Sequence, residues 1–183
     1  MGSVLGKYRL VPHPNGPQPG LSLGCKISRL GQDVLQFEYV AIGAVERVRW
    51  PAHAAPMHID GLWHTTCFEA FLAKPDGSYL ELNFATSGAW ATYRFEGYRD
   101  GMSPASDLPS PRSFLEQGAE RVALTVLYEL TGEFASPLKL ALSAVIEETD
   151  GTKSYWALAH PPGKPDFHHP TCFAATLPAP NAA

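Results

Sequence analysis

The chain has 183 residues, 45% of them hydrophobic and only 17% charged, so it can bury a full core in one domain and is neither disordered nor long enough for two ordinary domains. Its net charge is −4 with no cluster of Lys or Arg, and its apolar runs are far shorter than a bilayer is thick, which excludes a nucleic-acid partner and a helical membrane span. Abundant Gly (16) and Pro (17) beside so few charges point to many turns and an all-β chain.

Residues 1–7 lack the charged and apolar regions of a signal peptide, so the expected compartment is the cytoplasm. Residues 12–20 are Pro-rich and read as irregular. From residue 34 onward the apolar pattern has a period of two. Residues 34–42 alternate Leu35, Phe37 and Tyr39 with Gln36 and Glu38. Residues 51–61 form a loop, followed by strand patterns at 67–73, 78–84 and 89–98. Lys74-Pro75-Asp76-Gly77 and Thr86-Ser87-Gly88 have the composition of hairpin turns between them. A second loop, 100–112, carries three prolines, and Ser113 spaced before Glu116 suggests one short capped helix at 113–118. Strand patterns return at 122–130 and 138–146, with Thr149-Asp150-Gly151-Thr152 as a further turn. Residues 178–183 are again irregular. Nine to eleven short strands joined mostly by hairpins predict a two-sheet antiparallel β-sandwich, of jelly-roll or immunoglobulin-like type, in a single domain spanning residues 1–183.

The informative segment is 63–99, read as a three-strand meander. Phe68, Ala70 and Leu72 share one face with Leu80, Leu82 and Phe84, and this apolar face is expected to pack inward. The opposite face is then expected to display Glu69, Glu81, Asn83, Arg94 and Glu96 beside Phe71, Tyr79 and Trp90. Carboxylates, an amide and a guanidinium meet hydroxyl groups, and flat rings stack on sugar C–H groups. The same pattern also reads as a solvated face with cross-strand ion pairs, Arg94 to Glu81 for example.

Leu62-Trp63-His64-Thr65-Thr66-Cys67-Phe68-Glu69-Ala70-Phe71 and Leu80-Glu81-Leu82-Asn83-Phe84-Ala85-Thr86-Ser87-Gly88-Ala89-Trp90 resemble the DOMON-like superfamily, in particular its small bacterial stand-alone members. The stretches 157–160 and 164–169 fit the same group, and the likeness spans about residues 34–177. The superfamily includes the family-nine carbohydrate-binding modules and the haem domains of some extracellular oxidoreductases. The resemblance implies a β-sandwich that binds a sugar or haem and performs no chemistry of its own. Sugar-binding relatives hold the sugar between aromatic rings, for which Trp50, Trp63 and Trp90 are the candidates here. Haem-binding relatives use a Met and a His, or a similar pair. Met57 beside His58 is the nearest counterpart and matches no ligand motif.

Three functions follow. The first is a non-catalytic module for a sugar or glycan, with Trp63, Glu69, Glu81, Asn83, Trp90 and Arg94 as ligand-binding residues. The second is a haem- or metal-binding domain using Met57 or drawing on His58, Asp60, His64, His168 and His169, a spacing that fits no established divalent-metal motif. The third is an enzyme acting on a small saccharide through Glu69 and Glu81. Asp166 reads as the start of an Asx turn, and Trp63 reads equally as a loop anchor. Cys25, Cys67 and Cys172 form no disulfide framework, and Cys67 lies within a strand, where nothing activates a thiolate.

Overall fold

A computed structural model describes residues 2–133 and 136–180. It contains β1 (Ser3–Pro12), β2 (Leu21–Arg29), β3 (Val34–Gly43), β4 (Cys67–Ala73), β5 (Tyr79–Phe84), β6 (Trp90–Phe95), β7 (Ser103–Pro104), β8 (Arg112–Gln117), β9 (Arg121–Glu129), β10 (Leu138–Glu147), β11 (Lys153–Ala157) and β12 (Ala175–Leu177). Among the described residues there is no α-helix, and no helix is long and apolar enough to cross a membrane.

All pairings are antiparallel along the order β7-β6-β5-β4-β10-β11-β1-β2-β3-β9-β8, with β12 also on β10. Two separate sheets were expected, and the structure corrects this to one twelve-stranded sheet that curls back on itself. The cause lies in β1, whose residues up to Leu10 pair with β2 while Val11 and Pro12 reach Ala157 and Trp156 of β11. The seam is short and continues past β1, where the His13 N–H donates to the Tyr155 carbonyl (2.7 Å).

The two halves face each other across one core. Tyr39 of β3 stacks on Phe68 of β4 with ring centroids 4.9 Å apart, and Phe37 meets Phe84 of β5 at 5.9 Å. The Tyr39 hydroxyl donates to the Glu69 carbonyl across the gap (2.9 Å), so the ring buries its polar end without an orphaned group. Leu80, Leu82 and Phe84 all point into this core, as the alternation predicts. Burying each such side chain contributes about 1.5–3 kcal/mol.

Two expectations about local structure fail. Residues 112–117 form β8, and the short helix does not exist. An isolated single helical turn has an unfavourable nucleus, whereas β9 offers a full edge of backbone partners and takes it. Phe114 then points to solvent at 57% exposure. The face assignment of β6 is also inverted. The loop 85–89 sets Trp90 directly opposite Phe84 and Tyr93 opposite Glu81. Directly opposed residues share a face, so Trp90, Thr92 and Arg94 lie on the core side, while Ala91, Tyr93 and Phe95 lie on the outer side. Thr92 shows this through its hydrogen bond to the buried Tyr128 hydroxyl (2.6 Å).

Candidate functional site

Glu69 and Phe71 of β4, Tyr79, Glu81 and Asn83 of β5, Tyr93 and Phe95 of β6, and Ser143 and Val145 of β10 share the outer face of one half-sheet. Most of this face is covered. Phe71, Tyr79, Tyr93 and Phe95 form a second apolar cluster, closed over by Trp63, Phe167, Phe173 and Cys172 from loops. The loops 61–66, 96–103 and 158–174 leave a cleft of about 410 Å³ between them. Glu69, Glu81, Phe71 and Phe95 line its floor; Trp63, Tyr155 and Phe167 supply aromatic wall, and His64, Arg99 and Lys153 stand at its edge.

The floor holds two carboxyl groups that are nearly inaccessible, Glu69 at 2% and Glu81 at 4% exposure. They sit diagonally on neighbouring strands, Glu69 opposite Asn83 and Glu81 opposite Phe71. Glu69 Oε2 accepts a hydrogen bond from Ser143 Oγ (2.7 Å), and Glu81 Oε1 accepts one from Asn83 Nδ2 (2.9 Å). Burial, and then the neighbouring Glu81, pushes the ionisation of Glu69 up to about 8. Burial raises Glu81 to about 6, opposed by its bond from Asn83 and by Arg99. Near neutral pH one proton is therefore retained on the floor.

His168 closes one side. The Arg99 backbone N–H donates to the Tyr79 hydroxyl (3.2 Å), which leaves that hydroxyl to donate to His168 Nδ1 (2.8 Å). The neutral ring then carries its proton on Nε2, which faces Glu81 Oε2 at 3.7 Å. Burial and then Arg99 lower the His168 pKa to about 4, so the ring is uncharged at neutral pH. Arg99 itself has φ +53°, a left-handed conformation that costs a non-glycine residue about 1–3 kcal/mol. It is held there by its N–H bond to Tyr79 and by guanidinium bonds to Asp166 Oδ1 (2.7 and 3.2 Å). Asp166 also accepts from the Tyr98 hydroxyl and, as the Asx turn predicts, from the His168 backbone N–H (3.2 Å).

Of the residues singled out from sequence, Trp63, Glu69, Glu81, His64 and His168 meet at this cleft. Asn83 lies on the same face, bonded to Glu81. Trp90 and Arg94 do not join them. Trp90 packs against the core and stands edge-on to His58 at 5.1 Å, while Arg94 bonds Glu133 Oε1 and Asp107 Oδ2 rather than Glu81. The meander itself did not reveal Phe95, Arg99, Tyr155 or Phe167. Only Tyr155 had a readable signal, the alternation that resumes after the Asp150-Gly151 turn.

The metal candidates do not converge as a set, only His64 and His168 reaching the cleft. Asp60 accepts from the Tyr93 hydroxyl (2.6 Å) and lies 4.0 Å from His58, while His169 accepts from the Thr171 backbone N–H. Among the described residues no group of three His, Cys, Asp or Glu side chains is placed to hold a metal ion. Nor do the residues fit haem. Met57 and His58 are not among the cleft residues, and His168 has Nδ1 taken by Tyr79 and Nε2 turned to Glu81. The three cysteines are free and buried. Burial, then Glu69, holds the Cys67 thiol well above its ordinary ionisation range, so it is no nucleophile.

Neither a protein-family model nor a curated protein matches the sequence. Solved structures do resemble it. A protein from Bacteroides uniformis, provisionally described as carbohydrate-binding, superposes with a TM-score of 0.65 at 15% identity, covering 95% of this chain and 86% of that one. The shared property is the fold. A family-nine carbohydrate-binding module from Caldicellulosiruptor kristjanssonii, in complex with cellotriose and with glucose, gives TM-scores of 0.49 at 8% identity. Those alignments cover 89% of this chain and 74% and 76% of the module.

Proposed function

We propose that the protein is a non-catalytic binding module for a sugar or glycan and that the cleft above the Glu69–Glu81 floor receives it. One observation carries the reading. A concavity of about 410 Å³, within the range of small-ligand sites, combines aromatic wall from Trp63, Tyr155 and Phe167 with buried carboxyl acceptors on its floor. Rings stack on the C–H face of a pyranose while carboxyl groups take its hydroxyls. The DOMON-like resemblance and the shared fold of the Bacteroides uniformis protein, whose description is itself carbohydrate-binding, support the same class of ligand. Fold alone does not assign function, so the residues of the cleft bear the argument.

The test is titration calorimetry against a broad panel of mono- and oligosaccharides, repeated with Trp63→Ala. Saturable binding that Trp63→Ala weakens at least tenfold, in a variant that still unfolds cooperatively and keeps its far-ultraviolet circular dichroism, supports the cleft. Silence across the panel removes the proposal. A second reading, glycoside hydrolysis, is favoured by the placing of two buried carboxyls, diagonal on neighbouring strands, on the floor of one cleft. Turnover of aryl glycosides that vanishes in Glu69→Gln and in Glu81→Gln would replace the non-catalytic reading with this one.

A further inference from the structure

We propose that the saccharide taken by this cleft is an amino sugar, its ammonium group seated between Glu69 and Glu81 and enclosed by Phe71, Phe95 and Trp63. This rests on the reading of the cleft as a sugar site and names the chemical class of its ligand.

The floor carries acceptors without cations. Glu69 has a single side-chain partner, the Ser143 hydroxyl on Oε2, and its Oε1 has no hydrogen-bond partner among the described residues. Glu81 Oε2 meets only His168 Nε2, at a distance longer than a hydrogen bond. No Lys or Arg forms an ion pair with either carboxyl among the described residues. The positive groups at the edge are already engaged: Arg99 is held on Asp166, and Lys153 Nζ donates to the His64 carbonyl (2.7 Å). His168 is held neutral by burial and by Arg99, so it supplies no countercharge.

A carboxylate pair buried without a cation is unfavourable, and the folded chain tolerates it by keeping a proton there. A ligand that brings its own positive charge relieves that cost. The rest of the lining chooses among cations. Calcium and magnesium want six or more oxygen ligands, and here two carboxyls are surrounded by Phe71, Phe95 and Val145. An ammonium on a ring carbon needs only a few acceptors, and aromatic faces attract it electrostatically. Tyr155 and Phe167 then remain for the sugar ring itself. The amine must enter as a free ammonium, because acylation removes both its charge and two donors.

The experiment is calorimetry at pH 7 on the full chain, with glucosamine, galactosamine and mannosamine beside their neutral and N-acetylated counterparts. Cyclohexylamine and calcium chloride are titrated separately. Glu69→Gln and Glu81→Gln are run in parallel, with near-ultraviolet circular dichroism to confirm their fold. The expected result is at least tenfold tighter binding of one free amino sugar than of its neutral and N-acetylated counterparts. That preference should disappear in a folded Glu→Gln variant. Neutral sugars binding as tightly as amines overturns the proposal and leaves the sugar site standing. Cyclohexylamine binding as well as any amino sugar keeps the ammonium seat but removes the sugar. Calcium binding abolished by the same variants overturns the organic ligand, and no binding by any probe overturns both readings.

Discussion

Replacing Glu69 with glutamine keeps the shape of the side chain and an acceptor for Ser143 while removing a buried ionisable group. In the folded protein the carboxyl ionises near 8 instead of its ordinary 4.5, because it is buried beside Glu81. Between those values the folded state holds a proton that the unfolded chain has released. Every step up in pH therefore favours unfolding: the stability is fully present below about 4.5 and is lost as pH rises through 8. At ~1.4 kcal/mol per tenfold change in the ionisation constant, the whole loss is on the order of 5 kcal/mol. His168, lowered from 6.5 to about 4, acts in the opposite sense, since it loses stability as pH falls below 6.5. The cleaner window is consequently above pH 6.5, where His168 is neutral in the folded state and less than half protonated in the unfolded one. There the Glu69 contribution between 6.5 and 8 is about 2 kcal/mol. Urea unfolding at half-unit pH steps measures it. The native protein should lose stability across this window, and Glu69→Gln should lose much less. Parallel curves for the two proteins would refute the buried carboxyl.

Phe84→Ala should cost about 3–5 kcal/mol in urea unfolding, because the ring is 2% exposed and meets Phe37 and Tyr128 in the core. A loss below about 1 kcal/mol would invert the register of β5. Tyr93→Phe removes the bond to Asp60 and should cost about 0.5–1.5 kcal/mol by the same assay; no change would mean that this contact does not form in solution. Asp166→Asn unties Arg99 and Tyr98, which are largely exposed, so thermal stability should drop by less than about 1 kcal/mol while calorimetric saccharide affinity falls. Unchanged affinity would remove Arg99 and its loop from the cleft.

Period-two alternation, turn residues and low charge by themselves determined an all-β antiparallel chain and the inward faces of β4 and β5. Buried aliphatic positions repeat there every second residue, and a one-residue slip would put them in water. The same alternation placed Glu69, Glu81 and Asn83 together on the other face. It failed at β6, where Trp90, Ala91, Tyr93 and Phe95 put apolar groups on both faces, and only the geometry of the loop 85–89 selected which face meets Phe84. Residues 112–117 became a strand because β9 had an open edge, a fact held nowhere in their own sequence. Joining the halves into one sheet depended on two residues at the end of β1 reaching β11. The cleft is the clearest case. Its floor is local in sequence, but Tyr155, Phe167 and His168 arrive from segments far along the chain, and Arg99 from the turn after β6. Only the folded chain, by burying two carboxyls beside aromatic rings and holding the nearby cations on other partners, turned a polar sheet face into the floor of a cleft.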